Sequence, residues 1–114
     1  MKIPKIKQGT DIKNAMSKIN EIGIGVVFVE DEEKKFAGLL TDGDIRRAIL
    51  KGESLDMKVD EIMNRDPIKI YEGWSEKKTN EYLSSPEIRK IIPKMKALVI
   101  PILNEEEEIV GIRS

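Results

Sequence analysis

The densest chemistry in this chain lies at Thr41-Asp42-Gly43-Asp44-Ile45-Arg46-Arg47. A hydroxyl, two carboxylates and two guanidinium groups surround one glycine. The stretch follows an apolar run and opens a helix whose apolar face is Ile45, Ala48 and Ile49. A helix N-terminus offers free N–H groups and the positive end of a dipole, a setting suited to phosphate. Gly43 keeps the approach open. Arg46 and Arg47 either add positive charge to that end or form a solvated helix face. Asp42 repels a polyphosphate unless it points away. Asp42 and Asp44 stand two residues apart and do not share a helix face, which argues against a catalytic carboxylate pair. The chain has no His and no Cys. His general bases, thiol nucleophiles, disulfides and the common zinc sites are therefore excluded. The acidic run Glu105 to Glu108 reads as a solvated hairpin turn and not as a metal site. Trp74 reads as cover for a domain edge or as a stacking platform.

The whole chain is 114 residues, enough for one ordinary domain or two very small units sharing a core. Lys plus Arg is 20 and Asp plus Glu is 21, a net charge of −1. That balance gives no basis for nucleic-acid binding, which rests on many phosphate contacts. At 39% hydrophobic residues the chain can build a core, and at 4% aromatic that core is aliphatic. No apolar run approaches the roughly 20 residues of a membrane span. Met1-Lys2-Ile3-Pro4-Lys5 lacks the apolar region of a signal peptide. The expectation is a cytoplasmic protein without membrane or nucleic-acid partners.

Elements must position the 41–47 stretch. Residues 3–7 read as a short strand. Thr10 or Asp11 caps a helix whose face is Ile12, Ala15, Met16 and Ile19. Gly23 and Gly25 end it. Val26 to Val29 and Phe36 to Leu40 read as buried strands joined by the charged turn Asp31 to Lys35, and Gly52 stops the next helix. The order is β-α-β-β-α. A polar connection with a hydrophobic hook, Val59 to Met63, follows. The pattern then restarts with a strand at Ile68 to Tyr71, a Ser75 cap, a strand at Ala97 to Leu103, an acidic turn and a strand at Ile109 to Arg113.

The restart is an internal repeat. Lys5 to Asp11 aligns with Lys69 to Ser75 at an offset of 64, and Phe28 to Thr41 with Pro101 to Ser114 at an offset of 73. Gly38 falls on Gly111 and Thr41 on Ser114. The second copy carries nine extra residues in the interval that contains Ser84-Ser85-Pro86, which reads as a split helix. Units this small have too little core to stand alone, so the two are expected to pack as a pseudo-twofold pair. The second copy lacks its closing helix, and the chain end reads as a boundary within a longer protein. The expected fold is α+β: residues 1–58 as the first repeat, and 59–114 as a linker segment plus a truncated second repeat.

Gly38-Leu39-Leu40-Thr41-Asp42-Gly43-Asp44-Ile45 resembles the strand-to-helix motif of CBS domains, the modules named after cystathionine β-synthase. That motif is Gly, two apolar or variable residues, Thr or Ser, two residues, then Asp. Val59 to Ile68, with Met63 and Pro67, resembles the segment joining paired CBS domains. Pro101-Ile102-Leu103 resembles the Pro-Val-Val start of their second strand. The resemblance implies a Bateman module that binds an adenosine-containing ligand, AMP, ADP, ATP or S-adenosylmethionine, and regulates an attached catalytic domain. Gly25 to Val29 followed by Leu40 to Ala48 looks most like the modules of sugar-phosphate nucleotidyltransferases. Sugar-phosphate isomerases carry a similar Thr-Asp-Gly-Asp-Leu-Arg-Arg stretch and are the alternative.

On that resemblance Asp44 is the ribose anchor, since a carboxylate accepts two hydroxyls at once. Its other reading is a first-turn Asp complementing the helix dipole. Thr41 is a hydroxyl donor to ribose or phosphate, or simply the N-cap. Gly25 and Val26 contact base or ribose, or serve only turn and core. Gly38, Asp42, Arg46 and Arg47 complete the ligand-binding set. Phe28 stands where the family often has Pro. Gly111 and Ser114 begin a second site whose Asp would fall beyond the chain. The competing role is a ligand-free module that dimerises through the helices at 42–51 and 86–95. Catalysis within the chain is not expected.

Overall fold

Asp11 starts the first helix. Its backbone is extended (φ −81°, ψ 164°), and its Oδ1 accepts the Asn14 N–H at 2.8 Å. Helix α1 then runs Ile12–Ile22 until Gly23, at φ 82°, turns its N–H back to the Ile19 carbonyl at 2.9 Å. The computed structural model describes residues 3–95 and 99–113, in two compact units, Met1–Pro67 and Ile68–Ser114. No helix among the described residues is long and apolar enough to cross a membrane.

In the first unit, strands β1 (Lys5–Lys7), β2 (Val26–Glu30) and β3 (Phe36–Thr41) form one sheet in the order β1-β2-β3. β1 and β2 are parallel, so the chain between them must cross over, and α1 is that crossover. β2 and β3 are antiparallel. Helix α2 (Asp42–Leu50) follows directly, completing the expected β-α-β-β-α order. Ile12, Ala15 and Ile19 bury against Val27, Val29, Leu40, Ile45 and Ala48. Each of the Val, Leu and Ile side chains contributes about 1.5–3 kcal/mol by leaving water. Two residues expected on the buried faces depart from that pattern: Met16 and Ile49 are exposed.

The hydrophobic hook belongs to this unit, although the sequence grouped 59–67 with the second repeat. Val59 and Met63 are buried in the first core. The Val59 N–H donates to the Thr10 carbonyl, and the Asp60 carboxylate accepts the Gly9 N–H at 2.8 Å. Leu39 and Asn64 exchange N–H···O bonds of 2.8 Å in both directions. A Cβ on Gly38 would lie 2.8 Å from Met63 Sδ and 3.1 Å from the Asn64 carbonyl oxygen. Gly38 is what lets the hook lie flat on β3.

The second unit holds β4 (Ile70–Tyr71), α3 (Glu76–Leu83), α4 (Pro86–Ile91), β5 (Ile100–Leu103) and β6 (Ile109–Arg113), with a sheet ordered β4-β5-β6. The extra residues split the helix as expected. Ser75 Oγ caps α3, and Ser85 is held extended (φ −63°, ψ 150°) before Pro86 opens α4. Of the expected strand at 97–103, Ala97 and Leu98 lie outside the described residues.

The repeat is reproduced in register. Phe28 pairs with Leu39, and Pro101 with Ile112; Val29 pairs with Gly38, and Ile102 with Gly111. Both hairpins shift register at the next step, and Lys34 (φ 67°) and Glu107 (φ 65°) are left-handed at matching places. Asp31 Oδ1 and Asn104 Oδ1 each accept two turn N–H groups. The acidic run is therefore a hairpin turn. Its Glu107 has a further task, because the Tyr71 hydroxyl donates to its carboxylate at 2.9–3.0 Å. Burial, then this hydrogen bond and the Glu107 charge, raise the Tyr71 phenol above its ordinary pKa of about 10. Trp74 packs between Tyr71 and Tyr82, with Lys78 Nζ 4.7 Å from its ring centre. It covers the edge of the second core and is not a bare platform.

Two predictions follow from these contacts. Gly38→Ala should lower the unfolding free energy by about 1–3 kcal/mol, since a new methyl meets backbone as well as Met63. Gly111→Ala, whose Cβ would meet only Ile102 at 3.5 Å, should change it by less than about 0.5 kcal/mol. Equal effects in denaturant unfolding would contradict the packing assigned to Gly38. A phenol raised in the folded state stabilises fully below its unfolded pKa of about 10, and that stability is lost as pH rises through the folded value. Glu107→Gln should bring Tyr71 ionisation to lower pH, read from its ring-carbon NMR shift; an unmoved titration contradicts the pairing.

Candidate functional site

β3 ends at Thr41, whose extended backbone (φ −106°, ψ 162°) makes it the N-cap of α2. Its Oγ1 accepts the Asp44 N–H at 3.1 Å, while Asp44 Oδ2 accepts the Thr41 N–H at 2.9 Å. This reciprocal capping box satisfies two donors that the strand-to-helix corner would otherwise orphan. The Asp42 N–H is taken by the Gly25 carbonyl at 3.0 Å. The Gly43 N–H lies in the first turn, where N–H groups have no acceptor one turn earlier within the helix.

The corner gathers most of the residues singled out in the sequence. Val26 pairs with Thr41 across the sheet, which brings the start of β2 beside the start of α2. Gly25 sits at φ 81°, a conformation that L side chains rarely adopt, and this aims its carbonyl at Asp42. The Val26 side chain is buried, so it offers a ligand only main-chain atoms. Gly38 stands apart, beneath Met63, and its part in the structure is packing.

Both arginines are engaged with the carboxylates. Arg46 Nη2 donates to Asp42 Oδ2 at 3.0 Å on the solvent side of the helix. Arg47 Nη2 donates to Asp44 Oδ1 at 2.6 Å. A Cβ on Gly43 would lie 3.2 Å from Arg47 Nη1, which puts the guanidinium over the first turn. The structural readings of Thr41 and Asp44 are thus realised: each is part of the cap. The cap uses only part of their capacity. Thr41 Oγ1 still has its proton to donate, and the Asp44 carboxylate keeps further lone pairs.

Beside the corner lies an open concavity of 610 Å³ lined by Gly25 and Asp42 together with Lys13, Met16, Asn20 and Leu55. The α1 residues were not singled out from sequence as binding residues. Their signal was present: Lys13, Met16, Ser17 and Asn20 recur at i, i+3, i+4 and i+7, a second stripe beside the buried one. Among the described residues, no group of three or more His, Cys, Asp or Glu gathers as a metal site. In the second unit Gly111 pairs with Ile102, and Ser114 lies outside the described residues.

Residues 1–51 match the CBS domain family model. The chain is 27% identical over 109 residues to arabinose 5-phosphate isomerase GutQ of Salmonella typhi, covering 96% of this chain and 31% of that protein. It is 36% identical over 62 residues to arabinose 5-phosphate isomerase KdsD of Pseudomonas aeruginosa, covering 54% of this chain and 19% of that one. The chain therefore spans about a third or less of these curated relatives. A CBS domain protein from Pyrobaculum aerophilum, solved in complex with AMP, superposes with a TM-score of 0.77 at 19% identity, covering 100% of this chain and 82% of that one. The motif, the capped corner and the repeated sheet agree with these likenesses: residues 1–51 match the CBS domain model, and the chain as a whole shares the fold of solved CBS domain proteins.

Proposed function

We propose that the chain is a regulatory module that binds an adenosine-containing nucleotide at the β3–α2 corner. The observation that carries this reading is the convergence of Gly25, Val26, Thr41 and Asp44 at the first turn of α2, beside Gly43. Ribose hydroxyls meet the Asp44 carboxylate and the Thr41 hydroxyl. Phosphate meets the Gly43 N–H at the positive end of α2, with an arginine within reach. The main chain at Gly25 and Val26 faces the nucleoside. The AMP bound by the Pyrobaculum relative supports this ligand class.

The chain's own role in this reading is regulatory, and catalysis belongs to an attached domain. The alignment to two sugar-phosphate isomerases, each mostly outside the matched region, supports an isomerase as that domain. It favours the isomerase over the nucleotidyltransferase suggested by the motif alone. The proposal includes a cytoplasmic location and self-association.

A second reading, assembly without ligand, is favoured by the exposed Ile49, Leu50 and Ile91 on the two helices expected to mediate contact, Leu50 being 80% exposed. Thermal unfolding with AMP, ADP, ATP and S-adenosylmethionine separates the two. Binding stabilises by about 2.7 kcal/mol at a hundredfold excess over Kd, a shift of several degrees in Tm. Asp44→Asn keeps an acceptor for the Thr41 N–H and should weaken AMP binding about tenfold or more. A flat response to all four ligands would leave assembly as the role.

A further inference from the structure

A cis-diol presents two donors and is best met by both oxygens of one carboxylate. At Asp44, one oxygen already holds the Thr41 N–H at 2.9 Å and the other holds Arg47 Nη2 at 2.6 Å. The two contacts differ in kind. The Thr41 bond is part of the cap and is needed to form the corner. The Arg47 bond joins a mostly exposed guanidinium, 60% accessible, to a carboxylate 23% accessible, three residues apart on one helix turn. An exposed pair of this type is weak and readily exchanged. The same guanidinium overlies Gly43 in the first turn of the helix, where N–H groups point out of the helix end.

We propose that Arg47 is a built-in competitor for the ribose position, and that it makes the site selective for phosphorylated nucleosides over nucleosides. The inference rests on the nucleotide reading given above. A diol arriving at Asp44 displaces Arg47 from Oδ1. With a nucleoside, the released guanidinium gains only water. With a nucleotide, the phosphate lies over Gly43, where the guanidinium already is, and Arg47 exchanges one anionic partner for another. Arg47 thus opposes adenosine and is neutral or helpful toward AMP. Asp42, the other carboxylate at this turn, has its own partner in Arg46, at 3.0 Å on the solvent side of the helix.

Calorimetric titration of adenosine and AMP into the wild-type chain and Arg47→Gln tests this. Removing the competitor should tighten adenosine by about two- to fivefold, the range of an exposed pair. It should also reduce the preference for AMP over adenosine by about tenfold, since the charge-assisted contact to phosphate is gone. Arg47→Lys, which keeps the charge without the planar fork, should retain part of the AMP preference. Circular dichroism confirms that each variant is folded. Adenosine that binds Arg47→Gln equally or more weakly than wild type overturns the competition while leaving the nucleotide site standing. Binding of neither compound to either chain overturns the nucleotide reading, and the competition with it.

Discussion

The first unit depends on the reciprocal hydrogen bonding of Thr41 and Asp44. The last residue of β3 is also the residue before α2, so the chain must turn from strand to helix with no loop between them. Such a corner leaves N–H groups with neither strand nor helix partners. The capping box satisfies two of them, and the Gly25 carbonyl takes a third. A cap of this kind is worth about 0.5–2 kcal/mol. The result is a carboxylate and a hydroxyl fixed beside the first turn of α2 by main-chain hydrogen bonds. In the proposed reading, the residues that cap the corner are also those that would meet the nucleotide.

The two units put the same frame to different use. Their hairpins share register, bulge and left-handed turn residue. In the first unit the glycine of β3 accepts the hook through Met63 and the Asn64 bridge. Its counterpart Gly111 faces only Ile102 at ordinary contact distance. In the second unit the hairpin turn binds Tyr71 through Glu107, and Tyr71 joins an aromatic group with Trp74 and Tyr82.

Much of this was legible in the sequence because the signals were local. Apolar runs, glycine stops and capping residues mark nearly every element, and the 64- and 73-residue offsets describe the duplicated pairing. The corner residues could be named from their motif. Less legible was everything that depended on side-chain partners across the chain. The hook read as part of a linker, because nothing in its own residues says that Gly38 awaits Met63. Met16 and Ile49 fit the apolar period yet are exposed, since a period locates a stripe and not its width. The choice of Arg47 between solvent and Asp44 depends on a rotamer, which no spacing reveals.

The central claim is that the β3–α2 corner is a preformed nucleotide site. Amide NMR of the chain during an AMP titration addresses it directly, because the main-chain groups involved are themselves the probes. The Gly25, Thr41, Gly43 and Asp44 amides should shift together along one saturating curve, with Gly43 moving most. Saturable shifts confined to other residues, or none at any AMP concentration, would contradict it.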